Sequence, residues 1–359
     1  MDADAIIVGQ GIAGSCLALE LMDRGLDVQI FDDSWNGAAC LAAAGVLNPI
    51  TGKRLAKSWR SEAALPFAKE FYAELQERLG GEFFFRREIL QLCKSGEEAE
   101  LWRRRKGDPA YSGFLSDRAA PGSLAPLNDN FGSFCIGFSA WVEAPRAMEC
   151  LRRHFLERGV LRLERADYSE VEFTGVSVRL RGVEAKRIIF CEGWRAVDNP
   201  WFGWLPYRPA RGEILTLKIS ADLPDKIIHR EKWLMRHRSD LFRCGSTWDR
   251  ENFRAASPTP EARAELEKAL SSIIPGTPFE TVGQESGVRP CTATTRPHLG
   301  VHPKIPNAYS FNGFGSKGYA LSPFFARHFA DWLLDGGTLD READLARHVK
   351  KFFPPESRA

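Results

Sequence analysis

The sequence has no long apolar run, and no stretch approaches the ~18 consecutive apolar residues that a membrane-spanning helix needs. It has no internal repeat and no low-complexity block, and its formal net charge is only +2. The first residues are acidic and lead at once into a strand-like run, so the basic segment of a signal peptide is missing. We therefore expect a cytoplasmic globular protein, and the near-neutral charge does not indicate a nucleic-acid binder.

Disulfide and metal-binding patterns are missing as well. None of the eight cysteines forms a C-x-x-C pair, and several lie in apolar runs, which predicts reduced and mostly buried thiols. The seven histidines include no H-x-x-x-H pair on a predicted helix, because Pro297 and Pro303 disfavour a helix between His298 and His302. No metal site is predicted, and no Ser-His-Asp arrangement indicates nucleophilic catalysis.

A glycine turn near the first residue is the most informative feature that is present. The apolar run at residues 5–8 is typical of a buried parallel strand, and the G-x-G-x-x-G at residues 9–14 follows it and opens a helical run. Such glycines permit the tight turn, the approach of a pyrophosphate and the close packing of helix on strand. A second strand at residues 27–31 ends at Asp32, which can accept from ribose hydroxyls. The pattern favours a dinucleotide site, and both FAD and NAD are compatible with it. The alternative is a glycine turn that only allows the helix to pack on the strand and binds no ligand.

The order of the predicted elements indicates the fold. Helices are predicted over residues 61–79, 260–273 and 318–334, and a further helix, with Pro145 in its first turn, runs to about residue 157. Residues 107–140 predict loops with short strands, and residues 203–250 predict several β-like runs. The basic run at residues 103–106 predicts a solvated helix face or loop rather than an RNA contact. We predict an α/β protein: a Rossmann-like, doubly wound dinucleotide-binding domain over residues 1–82, 139–202 and 286–359, with an inserted β-rich (α+β) substrate domain over residues 83–138 and 203–285.

Five ordered blocks resemble a known family. They are the glycine turn with Asp32, residues 42–47 (AAAGVL), residues 188–194 (IIFCEGW), residues 211–213 (RGE), and the pair 287–290 (GVRP) and 312–323 (NGFGSKGYALSP). Together they are similar, over nearly the whole length, to the FAD-dependent D-amino-acid-oxidase-like superfamily in its glycine oxidase, sarcosine oxidase and amine dehydrogenase branch. The last block and its helix also resemble the flavin domain of the bifunctional enzyme that matures the wobble-uridine aminomethyl group of tRNA.

The resemblance implies non-covalent FAD, because sarcosine oxidases attach the flavin to a cysteine where this chain has Arg289 and Cys291 is offset. A helix beginning at Gly318 would direct its positive end toward the anionic part of a reduced flavin. The cofactor-binding residues that follow from the resemblance are Gly9, Gly11, Ile12, Ala13, Gly14, Asp32, Asp33, Ala43, Ala44, Gly45, Val46, Cys191, Glu192, Gly193, Trp194, Arg289, Gly313, Gly315, Ser316, Lys317 and Gly318.

Five residues are candidates for substrate contacts. Arg289 matches the arginine that binds the substrate carboxylate in glycine-oxidase-like members, and Lys317 stands where some oxidases carry an arginine. Lys53 and Arg54 follow the second block directly and could contact an anion or be solvated loop charges. Trp233 could lie over the substrate or be an ordinary core residue.

Glu192 departs from the family, which has a small residue at this position. Its side chain could contact the ribose hydroxyls or point outward, and the sequence leaves both alternatives open.

The resemblance implies an FAD-dependent oxidoreductase acting on CH–NH or CH–NH₂ donors. Hydride would pass from the α-carbon to flavin N5, the imine would hydrolyse, and O₂ or another acceptor would reoxidise the flavin. An oxidase in tRNA wobble-uridine modification, an NAD-linked dehydrogenase and a non-catalytic flavin-binding protein are the alternatives.

Overall fold

The structure is a computed structural model that describes residues 2–33, 38–255 and 257–354. Its strands are β1 (Ala5–Val8), β2 (Val28–Phe31), β3 (Val46–Leu47), β4 (Ile50–Thr51), β5 (Ala56–Lys57), β6 (Phe84–Phe85), β7 (Ile89–Leu92), β8 (Ser133–Ile136), β9 (Ala140–Val142), β10 (Leu161–Arg162), β11 (Glu172–Phe173), β12 (Val178–Leu180), β13 (Val183–Ala185), β14 (Ile188–Phe190), β15 (Ala210–Ile219), β16 (Ile227–His229), β17 (Trp233–Arg238), β18 (Leu241–Gly245), β19 (Phe279–Arg289), β20 (His298–Val301) and β21 (Ala308–Asn312). Its α-helices are α1 (Ile12–Asp23), α2 (Ser61–Leu79), α3 (Gly96–Lys106), α4 (Ala144–Glu157), α5 (Pro260–Ile273), α6 (Gly318–Asp335) and α7 (Val349–Phe352).

The first large sheet in the described part of the chain has the strand order β10-β2-β1-β14-β21-β20. All neighbours are parallel except β20, which runs antiparallel to β21 at the edge. Along β1, Ala5 and Ile7 pack in one hydrophobic cluster with helices α1 and α6, whereas Ile6 and Val8 pack in another with the strands β12 and β13. Both faces are covered, which explains why the β1 sequence is apolar at every position.

The second large sheet among the described residues has the order β19-β15-β18-β17-β16-β7-β8 and is antiparallel except between β16 and β7. Helix α5 packs on it through Leu266, Leu270 and Ile273. The predicted fold class, a Rossmann-like parallel sheet with a separate β-rich part, is thereby confirmed. Each sheet collects strands from separated stretches, and β19 runs across the predicted boundary at residue 286. The domain boundaries themselves stay predictions.

The four helices predicted from periodicity are found as α2, α4, α5 and α6 within one residue of the predicted ends. Helix α3 was not predicted. Its N-terminus has a reciprocal cap, in which the Ser95 hydroxyl accepts from the backbone N–H of Glu98 at 3.4 Å, and the Glu98 carboxylate accepts from the backbone N–H of Lys94 at 2.8 Å. This S-x-x-E pattern is the sequence signal that could have located the helix. The basic run at residues 103–106 forms its last turn.

The eight cysteines all lie in the described ranges, where they are free thiols and seven of them are buried. Among the described residues no helix is long and apolar enough to cross a membrane. The same residues contain no group of three or more His, Cys, Asp or Glu side chains placed to hold a metal ion.

Candidate active site

A cleft of about 1090 Å³ is lined by residues of both large sheets. The first sheet contributes the residues at the carboxyl ends of β1, β2, β14 and β21, and the second contributes residues of β7, β16, β17 and β19. Ligands of doubly wound sheets bind at the carboxyl ends of their strands. The cleft therefore joins a nucleotide-binding edge to the wall of the β-rich part.

The glycine turn lies at the cleft, and its glycines differ in what surrounds them. Gly9 has a φ of +102°, which favours glycine, and Gly9, Ile12 and Ala13 line the cleft. A Cβ added at Gly14, below the cleft surface, would lie 1.9 Å from the carbonyl oxygen of Gly9. A Cβ added at Gly11 would have nothing within 4 Å. Gly14 is thus needed for packing, whereas Gly11 leaves open space in front of the α1 N-terminus.

The α1 N-terminus is suited to an anion. Its N-cap residue, Gly11, offers no side-chain hydrogen bond, and no acidic residue lies in the first turn. Helix α6 likewise has neither a side-chain cap nor an acid in its first turn, and a Cβ at its first residue, Gly318, would lie 3.1 Å from the Ile12 side chain. Two helix N-termini therefore face the same region, where their dipoles favour negative charge.

Asp32 lies on the cleft wall at the end of β2. One carboxylate oxygen accepts from the backbone N–H of Gln10 at 2.8 Å, and the other accepts from Arg152 of α4 at 3.2 Å. Burial raises the pKa of Asp32, against these hydrogen bonds, which lower it. The neighbouring Asp33 also lines the cleft and lies 3.6 Å from Arg195. Arg152 was not identified from the sequence, since nothing local connects α4 with the glycine turn.

Glu192 lines the cleft beside the glycine turn, with Cys191, Gly193 and Trp194. Its two carboxylate oxygens accept from the Tyr168 hydroxyl at 2.6 Å and from the Asn199 amide at 2.8 Å. Burial is the main cause that raises the pKa of Glu192 to about 7, while both hydrogen bonds lower it. The carboxyl group is therefore oriented by neighbours on either side and does not project freely into solvent.

The second and fifth blocks complete this half of the cleft. Seven cofactor-binding candidates from these two blocks line this half of the cleft: Ala43, Ala44, Gly45, Val46, Gly315, Ser316 and Gly318. Gly313 lies outside the lining and packs against Thr292, whose methyl carbon would be 2.8 Å from an added Cβ.

Arg289, at the end of β19, lines the other half of the cleft. Its guanidinium donates to the Ser246 hydroxyl at 2.6 Å and to the Thr247 carbonyl at 3.3 Å, and stands 4.8 Å from the ring centroid of Trp248. Burial lowers its pKa. No carboxylate of the described residues forms an ion pair with it, so a half-buried cation is held at the cleft without a counter-charge.

Strand pairing explains how Arg289 is held. Its Cα pairs with Ala210 on β15, so the side chain extends over Gly212, two residues along on the same face. A Cβ at Gly212 would lie 2.1–2.3 Å from the atoms of the guanidinium. Gly212 belongs to the RGE block, and its lack of a side chain makes the room that Arg289 occupies.

The remaining substrate candidates lie in different places. Trp233 is half-buried on β17 and lines the cleft, and Lys53 is exposed at its rim. Arg54 is exposed and outside the lining, and its backbone carbonyl accepts from Arg105. Lys317 lines an adjoining cavity of about 110 Å³ that shares Val46 and other wall residues with the main cleft. The structure thus brings Arg289, Trp233 and Lys53 to one cleft, but not Arg54 or Lys317.

Several polar residues of the β-rich wall were not identified from the sequence. His229 on β16 shares a hydrogen bond of 2.8 Å with Gln91 on β7, and both line the cleft. Burial lowers the pKa of His229 to about 4, which keeps its imidazole neutral at pH 7. The pair arises from the parallel register of the two strands, which no local pattern in the sequence indicates.

Residues 4–332 match the family described as DAO, FAD dependent oxidoreductase. The chain belongs to this family. Its members use FAD, and the residues present fit this cofactor: the turn has open space at Gly11, two helix N-termini converge there, and Asp32 stands at the end of β2. The protein is therefore an FAD-dependent oxidoreductase.

Relatives within the family include proteins of different activities. The chain is 24% identical over 356 residues to a glycine oxidase of Pseudomonas aeruginosa, covering 92% of this chain and 94% of the relative. It is 24% identical over 351 residues to the tRNA 5-methylaminomethyl-2-thiouridine biosynthesis bifunctional protein MnmC of Marinobacter nauticus, covering 91% of this chain. The chain spans only 54% of that bifunctional relative.

Solved structures of this family share the fold. Glycine oxidase from Geobacillus kaustophilus superposes with a TM-score of 0.82 at 22% identity, covering 96% of this chain and 99% of the other. Iminodiacetate oxidase from Chelativorans sp. BNC1 gives a TM-score of 0.79 at 23% identity, covering 94% and 98%. At these identities the likeness shows the fold alone.

Proposed function

We propose that the protein oxidises the C–N bond of a small amine that carries a carboxylate. The observation that carries this proposal is the half-buried guanidinium of Arg289, which faces the cleft without an acidic partner among the described residues. An arginine fork binds a carboxylate through two parallel hydrogen bonds, and this fixes the orientation of the bound molecule. The relatives named glycine oxidase and iminodiacetate oxidase act on substrates of this class, which supports the proposal.

The chain's own residues bind and orient the substrate. Arg289 holds the carboxylate, while Trp233 forms part of the wall that excludes water. FAD, when bound, supplies the acceptor for the hydride that leaves the α-carbon. The two helix N-termini and the open space at Gly11 hold its negatively charged part.

An anaerobic screen of flavin bleaching tests this function. The purified yellow protein is mixed without oxygen with glycine, N-methyl and N-carboxymethyl amino acids, D-amino acids and proline derivatives, and the flavin absorbance is followed. We expect bleaching with at least one amine that carries a carboxylate, and none with the matching amine that lacks it. A protein that stays yellow with every amine would instead support the non-catalytic flavin-binding alternative.

Variants at Arg289 make the test specific to the site. Arg289→Ala should lower kcat/KM by an amount that corresponds to about 2–4 kcal/mol of lost transition-state stabilisation, because charge-assisted bidentate contacts are among the strongest hydrogen bonds in proteins. Arg263→Ala is the matched control, because Arg263 lies on the exposed side of α5 and pairs with Glu267. An Arg289→Ala protein with the kcat/KM of the wild type would reject the assignment.

Oxidation of an aminomethyl group on tRNA is a second candidate. The observation that favours it is that two basic stretches meet near the cleft: Arg105, in the basic last turn of α3, donates to the Arg54 backbone carbonyl at 3.3 Å, and the neighbouring Lys53 lines the cleft. Binding of tRNA that weakens steeply with salt would support this candidate. Absence of tRNA binding at low salt would exclude it.

A further inference from the structure

The cleft carries further cations that binding of one carboxylate at Arg289 does not use. Arg230 and Lys232 lie in the turn between β16 and β17, and Lys268 lies on α5. All three line the same cleft as Arg289. On α5 the lining positions are Glu265, Lys268, Ala269 and Ser272, which is the spacing of one helix face.

Contacts through Ser246 connect one of these cations, Lys232, to the Arg289 site. The Ser246 hydroxyl accepts from Arg289 at 2.6 Å, and its carbonyl accepts from Lys232 at 2.7 Å. Lys232 also forms an ion pair with Glu265 at 2.6 Å, so its charge is balanced. The turn that carries Arg230 is therefore joined to the Arg289 site through a single intervening residue.

Arg230 lacks the partners that a half-buried guanidinium requires. Its Nη1 reaches the Ser272 hydroxyl only at 3.5 Å, and its buried Nε has no hydrogen-bond partner. No acid of the described residues pairs with Arg230 or with Lys268. By contrast, Lys94 on the same wall is near two acids, Glu98 and Glu231. A buried unsatisfied donor on a cation is costly unless a ligand supplies the acceptor.

We propose that Arg230 and Lys268 form a second anion subsite, with the Ser272 hydroxyl beside it. The substrate is then an amino acid or secondary amine that carries a second oxyanion group, a carboxylate or a phosphate, besides the carboxylate at Arg289. This inference rests on the proposed function, because Arg289 is taken to bind the first carboxylate. The second oxyanion group supplies hydrogen-bond acceptors to the Arg230 guanidinium, and its negative charge balances the positive charges of Arg230 and Lys268.

Binding of unreactive carboxylates to the FAD-loaded protein tests the subsite. Monocarboxylates from acetate to hexanoate and α,ω-dicarboxylates from malonate to pimelate are titrated by calorimetry and by the change in flavin absorbance. We expect one chain length at which the dicarboxylate binds about 10-fold or more tightly than the monocarboxylate of equal length. Phosphonocarboxylates of that length show whether a phosphate or a carboxylate is the preferred second group.

Variants assign the gain to the two cations. Arg230→Gln and Lys268→Gln should each reduce dicarboxylate binding by about 10-fold and leave monocarboxylate binding unchanged. Arg230→Lys keeps the charge and should lose less. Lys268 is exposed, so its replacement tests the subsite even where Arg230→Gln impairs folding. Arg263→Gln is the matched control on the same helix, outside the cleft lining.

Two results would overturn the subsite. One is that no dicarboxylate or phosphonocarboxylate binds more tightly than its monocarboxylate. The other is that the Arg230 and Lys268 variants weaken both classes equally. Failure of the proposed function has a different signature, since neither class would then bind and Arg289→Ala would change no titration.

Discussion

Replacement of Gly212 by alanine should disable the proposed carboxylate site by displacing Arg289, although Gly212 has no side chain of its own. The added Cβ would lie 2.1 Å from Nη2, 2.2 Å from Nη1 and 2.3 Å from Cζ of Arg289. Ordinary contacts between such atoms are about 3.4 Å or longer, so the guanidinium must move by more than about 1 Å. Trp248 is stacked on the same guanidinium at 4.8 Å and restricts where it can go. The obstructed atoms are the end of a flexible side chain, so the sheet should fold normally.

The expected loss follows from what Arg289 contributes to binding. Displacement of the guanidinium removes its hydrogen bond to Ser246 and its alignment with the proposed substrate carboxylate. A bidentate charge-assisted contact of this kind is worth about 2–4 kcal/mol, which corresponds to about 30- to 1000-fold in kcat/KM. Gly283→Ala is the matched control: it lies on β19 in the same sheet, and its Cβ would stand 3.3 Å from Thr216.

A double-mutant cycle separates this mechanism from general damage. In an Arg289→Ala background the space over Gly212 is empty, so adding Gly212→Ala should cost little further activity. Flavin content and the melting temperature are measured alongside kcat/KM, because loss of either would indicate misfolding. Independent, additive losses of the two substitutions would refute the reasoning, as would wild-type carboxylate binding by Gly212→Ala.

Three further predictions concern the cofactor half and the support of Arg289. Gly11→Val should leave the apoprotein folded, because the added side chain meets open space, but it should abolish flavin binding. The measurement is the flavin content per protein, and Gly96→Ala, which also meets open space, is the control. Glu192→Gln should flatten the pH dependence of apoprotein stability. The pKa of Glu192 is raised from 4.5 to about 7 in the folded protein, so between these pH values the folded wild type binds a proton that the unfolded chain has lost. The free energy of unfolding of the wild type should therefore fall by up to about 3 kcal/mol as the pH rises from 4.5 to 7. Trp248→Ala should raise KM severalfold with a smaller effect on kcat, since a partly exposed cation–π contact is worth about 0.5–1 kcal/mol.

Each of these predictions has a contrary result. Full flavin occupancy of Gly11→Val would show that nothing occupies the space in front of α1. Parallel melting-temperature profiles of wild type and Glu192→Gln between pH 4.5 and 8 would show that this carboxyl does not titrate in the expected window. An unchanged KM for Trp248→Ala would show that Ser246 and Thr247 alone hold the guanidinium.

Features that depend on neighbours in the sequence could be predicted. The strand, the glycine turn and α1 are contiguous, and the same short stretch sets both the turn and the packing of Gly14 beneath it. The long helices were predicted because a repeating apolar pattern covers each of them. Helix α3 was not predicted, because Ala99 is its one buried apolar residue and a single position gives no periodicity. The sequence signal for this helix is instead the N-terminal cap at Ser95.

Features created by strand register could not be predicted from one sequence. The pair of His229 and Gln91 forms because β16 and β7 run parallel with these residues in register. Arg230 and Lys268 meet the cleft because a hairpin turn and a helix, some forty residues apart in the chain, border it together. Lys317 shows the converse, since it lies within a cofactor block yet faces an adjoining cavity.

The RGE block shows how one strand serves both faces of a sheet. Successive side chains on β15 point in opposite directions, so Arg211 and Glu213 lie on the face away from Arg289 and pair with each other at 3.3 Å. The backbone of Glu213 exchanges hydrogen bonds with Thr247, which fixes the loop whose Ser246 and Thr247 receive Arg289. Gly212, between the two charged residues, gives Arg289 its space. The side chains of Arg211 and Glu213 pair on one face, where Glu213 also accepts from the Thr259 hydroxyl, whereas Gly212 admits the guanidinium of Arg289 on the other face.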